Sequence, residues 1–381
     1  MRATIQRKTN EENKQKVTKT AFTKAVSVFV FFVTGLIIGL IPSVYIIWQL
    51  THPKYDQSIP KSSTQADIQS LIHIKNVDDL ERKRQELIQI IWGNNYHPNK
   101  QPFHVTENIQ DERISQLKGI NKVDRLEIEM DHGINSVAYL FNPHQGRPLA
   151  IYHQGHDGDF FTGKATIQAF IDKGYMVLCF SMPLIGDNNQ PTVNISGTGP
   201  VEFSGHERLK FLDNPLQFFM EPILEGLNYV QSRYLPDQVI MIGYSGGGWS
   251  TTVYAAIDPR IHMSFPVAGS LPIFLRNHKD WGDFEQTFPP LYQNVNYLDL
   301  YIMGSSGNNR RQLQVLNELD PCCFAGTKNL FYENEIAKIA SSLGGKFSVY
   351  LDNSHKSHCI SPAALERIFY EIDSFAPWSI D

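Results

Sequence analysis

Between Leu149 and Leu351 the chain repeats one pattern: a short apolar run, a turn, then a stretch compatible with a helix. The runs are Leu149–Tyr152, Met176–Phe180, Val239–Ile242, Met263–Val267, Leu313–Leu316 and Phe347–Leu351. Such short, continuously apolar runs are the signature of strands buried on both faces of a sheet. Helix candidates fall near 161–172, 215–233, 248–257 and 329–343. Ahead of them Leu126, Ile128 and Met130 alternate with charged residues, a DHG turn follows, and VAYLF returns, which reads as a hairpin. A hairpin leading into β-α units predicts an α/β fold, with a mostly parallel twisted sheet and helices on both faces. Ligands in such sheets bind beyond the carboxyl ends of the strands, so reactive residues are sought in the turns that follow them.

One of those turns is Gly243-Tyr244-Ser245-Gly246-Gly247, between Val239–Ile242 and the helix-compatible WSTTVYAA. A G-x-S-x-G motif in strand–turn–helix context lifts the serine hydroxyl above the sheet, and the small flanking residues let strand and helix approach closely. A serine becomes a useful nucleophile only when a base takes its proton and an acid orients that base. Asp320 lies just past Leu313–Leu316, and His355 and His358 lie just past the last run. His358, which leads through Ile360 and Ser361 into a helix, is favoured over His355 as base. Asp320 is favoured as acid. Asp352 shares the histidine's loop and would have to fold back on it, and Asp299 precedes LYIM, which reads as strand or helix. The first oxyanion donor is the N–H of Gly246. The second is assigned to the N–H of His156 in the loop Tyr152–Gly158. His153 and His156 could serve as metal ligands, but no third or fourth ligand shows convincing spacing, so neither a metal nor a cofactor is expected.

The segments YHQGHDG, IGYSGGGWSTTVYAAIDPRI, LQVLNELDPCCF and SHKSHCIS resemble the α/β-hydrolase superfamily over about residues 124–375. The likeness is strongest to exported serine esterases and prolyl-oligopeptidase-like hydrolases, with an acetyl-xylan-esterase-like flavour. It implies the α/β-hydrolase fold, a triad of Ser245, Asp320 and His358 in the superfamily's chain order, and hydrolysis of a small-molecule ester or acyl substrate. The chain departs from that pattern at HQGH, where many relatives carry a plain HG pair. Peptidase, amidase or acyltransferase chemistry would use the same three residues. A non-catalytic binding module of this fold is the remaining alternative, and the complete ordered set speaks against it.

The chain is 381 residues long with a formal charge of −5, unevenly spread. Residues 1–24 carry +5, which leaves −10 on the remainder and excludes an overall basic nucleic-acid binder. Ala25–Leu50 holds no charged residue. As a helix it would cover roughly 39 Å, enough to cross a bilayer, and it exceeds the apolar core of a cleaved signal. The expected organisation is a basic cytoplasmic tail (1–24), a single transmembrane signal anchor (25–50), a linker and N-terminal helical extension (51–123), and a catalytic domain (124–381) that is periplasmic or otherwise extracytoplasmic. In the extension, Val77–Trp92 reads as an amphipathic helix with Leu80, Leu87, Ile88 and Ile91 on one face, a solvated charged face, and Gly93 as its C-cap. Segments 183–213 and 271–297 are candidate covers for the site. If the acid and base loops touch, Cys322 or Cys323 comes within disulfide reach of Cys359, while Cys179 on a strand stays reduced and buried.

Overall fold

The computed structural model of the chain describes residues 68–143 and 148–375. The basic tail, the apolar run 25–50 and the linker through residue 67 lie outside the described residues. Among those that are described, no helix is long and apolar enough to cross a membrane.

In chain order the main elements are α1 (Val77–Trp92), β1 (His104–Thr106), β2 (Ile120–Ile128), β3 (Ser136–Pro143), β4 (Leu149–His153), α2 (Lys164–Asp172), β5 (Met176–Phe180), β6 (Thr192–Ile195), β7 (Gly199–Glu202), α3 (Gln217–Tyr234), β8 (Val239–Tyr244), α4 (Gly246–Ile257), β9 (Met263–Val267), α5 (Tyr297–Ser305), β10 (Arg311–Asn317), α6 (Glu333–Ser342), β11 (Lys346–Asp352) and α7 (Pro362–Asp373). One sheet runs β1-β2-β3-β5-β4-β8-β9-β10-β11, and β6-β7 form a separate hairpin. β1, β2, β3 and β5 pair antiparallel, with Leu126 opposite Ala138 in the expected hairpin, and β5, β4, β8, β9, β10 and β11 pair parallel in that order.

Each central strand is apolar on both faces because each face is covered. Along β8, Val239 and Met241 join a core with α1, α3, α4, α5 and α6, while Ile240 and Ile242 join the opposite core with α2 and α7. This is the period-2 alternation of a strand, hidden in the sequence because both sides are apolar. The LYIM stretch is helical. It lies in α5, whose N-terminus is closed by a capping box between Asn296 and Asp299. Asp299 is buried there and accepts from the His73 N–H at 2.9 Å, away from any strand end.

The expected division at residue 124 is not visible in the packing. β2 begins at Ile120, and the described residues cluster as one compact unit. α1 spans the predicted residues, with Asn76 as N-cap and Gly93 at φ 58° closing it. Leu80, Leu87, Ile91 and Trp92 are buried in the larger core. Its charged face departs from the solvated reading. Lys83 and Arg84 are buried, Lys83 donating to the Asn294 carbonyl and Arg84 to the Ala256 carbonyl. The Ala256 carbonyl lies at the C-terminal end of α4, where a cation is favoured by the helix dipole and satisfies an orphan acceptor. Arg310, fully buried, donates to the carbonyls of Ala255, Ile261 and Met303 around the same end, and its burial pushes its pKa down to about 9. Because Leu87 is fully buried in the common core, Leu87→Ala should lower the unfolding free energy of the whole domain by about 3 kcal/mol. Urea denaturation should show this as a single shifted transition.

Candidate active site

The strand–turn–helix at Ser245 depends on close approach. A Cβ on Gly243 would lie 2.0 Å from the Gly247 carbonyl oxygen, and one on Gly247 would lie 2.0 Å from that of His153. Neither position has space for a side chain. Ser245 itself adopts φ 56°, ψ −121°, a strained backbone for a residue with a Cβ, held by its N–H donating to the Val267 carbonyl at 2.9 Å. Its hydroxyl therefore projects from the carboxyl end of β8, and Gly246 opens α4 behind it. The first N–H groups of a helix have no intrahelical acceptor and sit at its positive end.

His358 Nε2 lies 2.9 Å from Ser245 Oγ, and His358 Nδ1 lies 2.7 Å from Asp320 Oδ2. The arrangement suits one tautomer, with Nδ1–H donating to Asp320 and Nε2 accepting from the serine hydroxyl. The Asp320 carboxylate is inaccessible to solvent. It also accepts from the Cys322 N–H at 2.8 Å and from Asn317 Nδ2 at 3.2 Å. Burial pushes its pKa up, but the bonds from His358, Cys322 and Asn317 outweigh this and hold it below the usual carboxylate range.

The rival residues pair with each other instead. His355 Nε2 lies 3.2 Å from Asp352 Oδ2, and Asp352 also accepts from Ser354 and Ser361. Two residues beyond the predicted set brace the histidine. The Tyr244 hydroxyl donates to the His358 carbonyl at 2.5 Å, and Asn317 Nδ2 donates to the Cys359 carbonyl at 3.0 Å. Tyr244 is the variable second position of the motif, and Asn317 ends β10, so no spacing rule singles out either one.

The loop after β4 packs directly on the turn. A Cβ on Gly155 would lie 2.7 Å from that of Ser245, and one on Gly246 would lie 2.4 Å from His156 Cε1. His153 is buried, with Nδ1 against the Gln154 carbonyl at 2.9 Å, and burial pushes its pKa down to about 4. It is a neutral core residue. His156 Nε2 lies 3.0 Å from Glu285 Oε1 and 3.1 Å from Asp283 Oδ2. Burial pushes its pKa down, but the Glu285 and Asp283 carboxylates more than offset this and raise it. Both segments expected to cover the site reach it here, because Asp283 and Glu285 lie in 271–297 and the ring of His206, from 183–213, sits 5.0 Å from that of His156. The expected tether to Cys359 is not formed. Cys322 and Cys323 are bonded to each other, Cys359 is free, and Cys179 is free and buried as expected. The two loops do touch, with Cys323 Sγ 3.9 Å from His358 Nε2, but Cys323 is bonded to Cys322 and not to Cys359.

No family model matches the sequence, and no curated protein matches it. Solved structures do. An acetyl xylan esterase from Paenibacillus sp. R4 superposes with a TM-score of 0.52 at 17% identity, over 81% of this chain and 98% of that one. The methylesterase BT1017 gives 0.57 at 15% identity, over 80% of this chain and 66% of its own. Acetyl xylan esterase 1 from Thermoanaerobacterium sp. JW/SL YS485 gives 0.50 at 13% identity, over 80% and 97%. With the order of the sheet and the serine at the end of β8, these likenesses show that the chain has the α/β-hydrolase fold.

Proposed function

We propose that the protein is a carboxylic-ester hydrolase that works through an acyl-enzyme on Ser245, with His358 as general base and Asp320 as the acid that orients it. The observation that carries this reading is the continuous chain from Ser245 Oγ through His358 to Asp320, at 2.9 and 2.7 Å, on a serine held at φ 56°. As Ser245 Oγ bonds to the ester carbonyl carbon, its proton passes to His358 Nε2. The buried Asp320 carboxylate stabilises the imidazolium. The Gly246 N–H at the start of α4, joined by the His156 N–H, receives the charge that develops on the carbonyl oxygen. Collapse breaks the ester C–O bond, and His358 returns the proton to the leaving alcohol. Water then repeats the sequence on the acyl-enzyme, releasing the carboxylic acid and restoring Ser245. The two structural neighbours named for acetyl xylan and the one named as a methylesterase support esters with a small acyl or alkyl group as the substrate class.

Ser245→Ala should lower kcat on p-nitrophenyl acetate by about four to six orders of magnitude. The thermal unfolding midpoint should not fall. Retained turnover in that variant would exclude the serine mechanism.

The same proposal places the domain outside the cytoplasm, tethered by Ala25–Leu50 with residues 1–24 inside. The support is the charge-free run and the +5 flank that precedes it. Alkaline phosphatase fused after the last residue should be active in a bacterial host, since that reporter works only when exported. Activity of a cytoplasm-dependent reporter at the same position, with an inactive phosphatase, would overturn the topology.

A further inference from the structure

Beside the serine turn, four side chains from three separate stretches converge. His156 follows β4, His206 lies between β7 and α3, and Asp283 and Glu285 lie between β9 and α5. One donor atom from each lies within 4.8 Å of all the others. Hydrogen bonding within the group leaves three features unexplained. His156 Nε2 can carry one hydrogen, yet carboxylate oxygens of Glu285 and Asp283 stand 3.0 and 3.1 Å from it. His206 Nε2 lies 2.8 Å from the Pro183 carbonyl, an acceptor only, so that nitrogen carries a hydrogen and Nδ1 is the ring atom left to act as a ligand. Nδ1 is buried without a hydrogen-bond partner and faces Asp283 Oδ2 at 3.7 Å. Glu285, fully buried, leaves Oε2 without a partner as well. Two imidazoles and two carboxylates gathered within 4.8 Å offer a single cation four donor atoms.

We infer that His156 Nε2, His206 Nδ1, Asp283 Oδ2 and a Glu285 carboxylate oxygen form a site for a divalent transition-metal ion of the Zn²⁺ class. Ligand atoms about 2.0–2.2 Å from a tetrahedral ion stand roughly 3.3 Å apart. The separations of 3.0, 3.1 and 3.7 Å bracket that value. Two imidazoles favour such an ion over Mg²⁺ or Ca²⁺, and two carboxylates balance its charge. The His206 Nε2–H bond to Pro183 is the outer-shell contact that fixes a ligating ring and presents its other nitrogen. Asp283, with about half of its side chain exposed, gives the ion a route in. With four protein ligands the site is closed and structural. It fastens the loop carrying His156 to both segments that cross the serine turn. The inference does not depend on the triad's chemistry.

The full-length, untagged protein should be stripped with chelator, dialysed against Zn²⁺, freed of excess metal and assayed for bound metal. Wild type should retain one equivalent and gain thermal stability with it, and Co²⁺ in place of Zn²⁺ should give the intense visible absorption of a tetrahedral ion. His206→Ala and Glu285→Gln should lose the metal. A Cys322→Ser, Cys323→Ser double variant should keep it, since the other group of potential ligands, at His358, is closed by a disulfide. Ser245→Ala should also keep it, which separates this test from that of the hydrolase reading. Wild type without metal above the buffer level and without Co²⁺ absorption would overturn the site, whether or not the variants fold. So would equal metal content in folded His206→Ala and Glu285→Gln proteins.

Discussion

The close approach of β8, α4 and the loop after β4 is the constraint on which the site depends. Gly243 and Gly247 leave no space for a Cβ, and Gly155 packs its α-carbon face against Ser245. That proximity lets a buried strand turn into a buried helix within one residue, and it forces Ser245 to φ 56°. The strain is tolerated because the surroundings over-determine it: an N–H bond to Val267, a helix buried along its whole length, and cations from α1 and β10's leading edge at that helix's far end. Arg84 and Arg310 thus stabilise the C-terminus of the same helix whose N-terminus lies beside Ser245, so the N-terminal segment supports the site without touching it.

The histidine is positioned by a second constraint. The His358 loop is held by more than the bonds to its ring. Here the backbone on either side is fixed, by the Tyr244 hydroxyl at the His358 carbonyl and by Asn317 at the Cys359 carbonyl. Asn317 also donates to Asp320, so one amide ties the acid loop to the base loop. Asp320 can remain ionised though buried because it accepts from His358, Asn317 and the Cys322 N–H together.

Much of this was legible in the residues. Strands covered on both faces read as unbroken apolar runs, and all six runs are strands, extended at most by two residues at an end. The motif's context pointed to Ser245, position after a strand to Asp320 over Asp299, the shared loop counted against Asp352, and the helix that follows favoured His358 over His355; the structure brings Ser245, His358 and Asp320 together. What escaped was tertiary. The charged face of α1 reads as solvated, because the carbonyls that accept from Lys83 and Arg84 belong to residues 294 and 256. Spacing gives no sign that His156 meets His206, Asp283 and Glu285, because those residues lie on distant loops. The cysteine reading placed the loops together but not the bond, which joins Cys322 to Cys323 and leaves Cys359 free.

The central claim is that Ser245 is the residue whose oxygen the His358–Asp320 pair makes nucleophilic. Brief treatment of the folded protein with a fluorophosphonate, followed by peptide mass spectrometry, tests it most directly. One phosphonyl group per chain is expected, on the peptide containing Ser245, and none after denaturation before labelling. Labelling confined to another residue, or a folded protein that stays unmodified at Ser245, would contradict it.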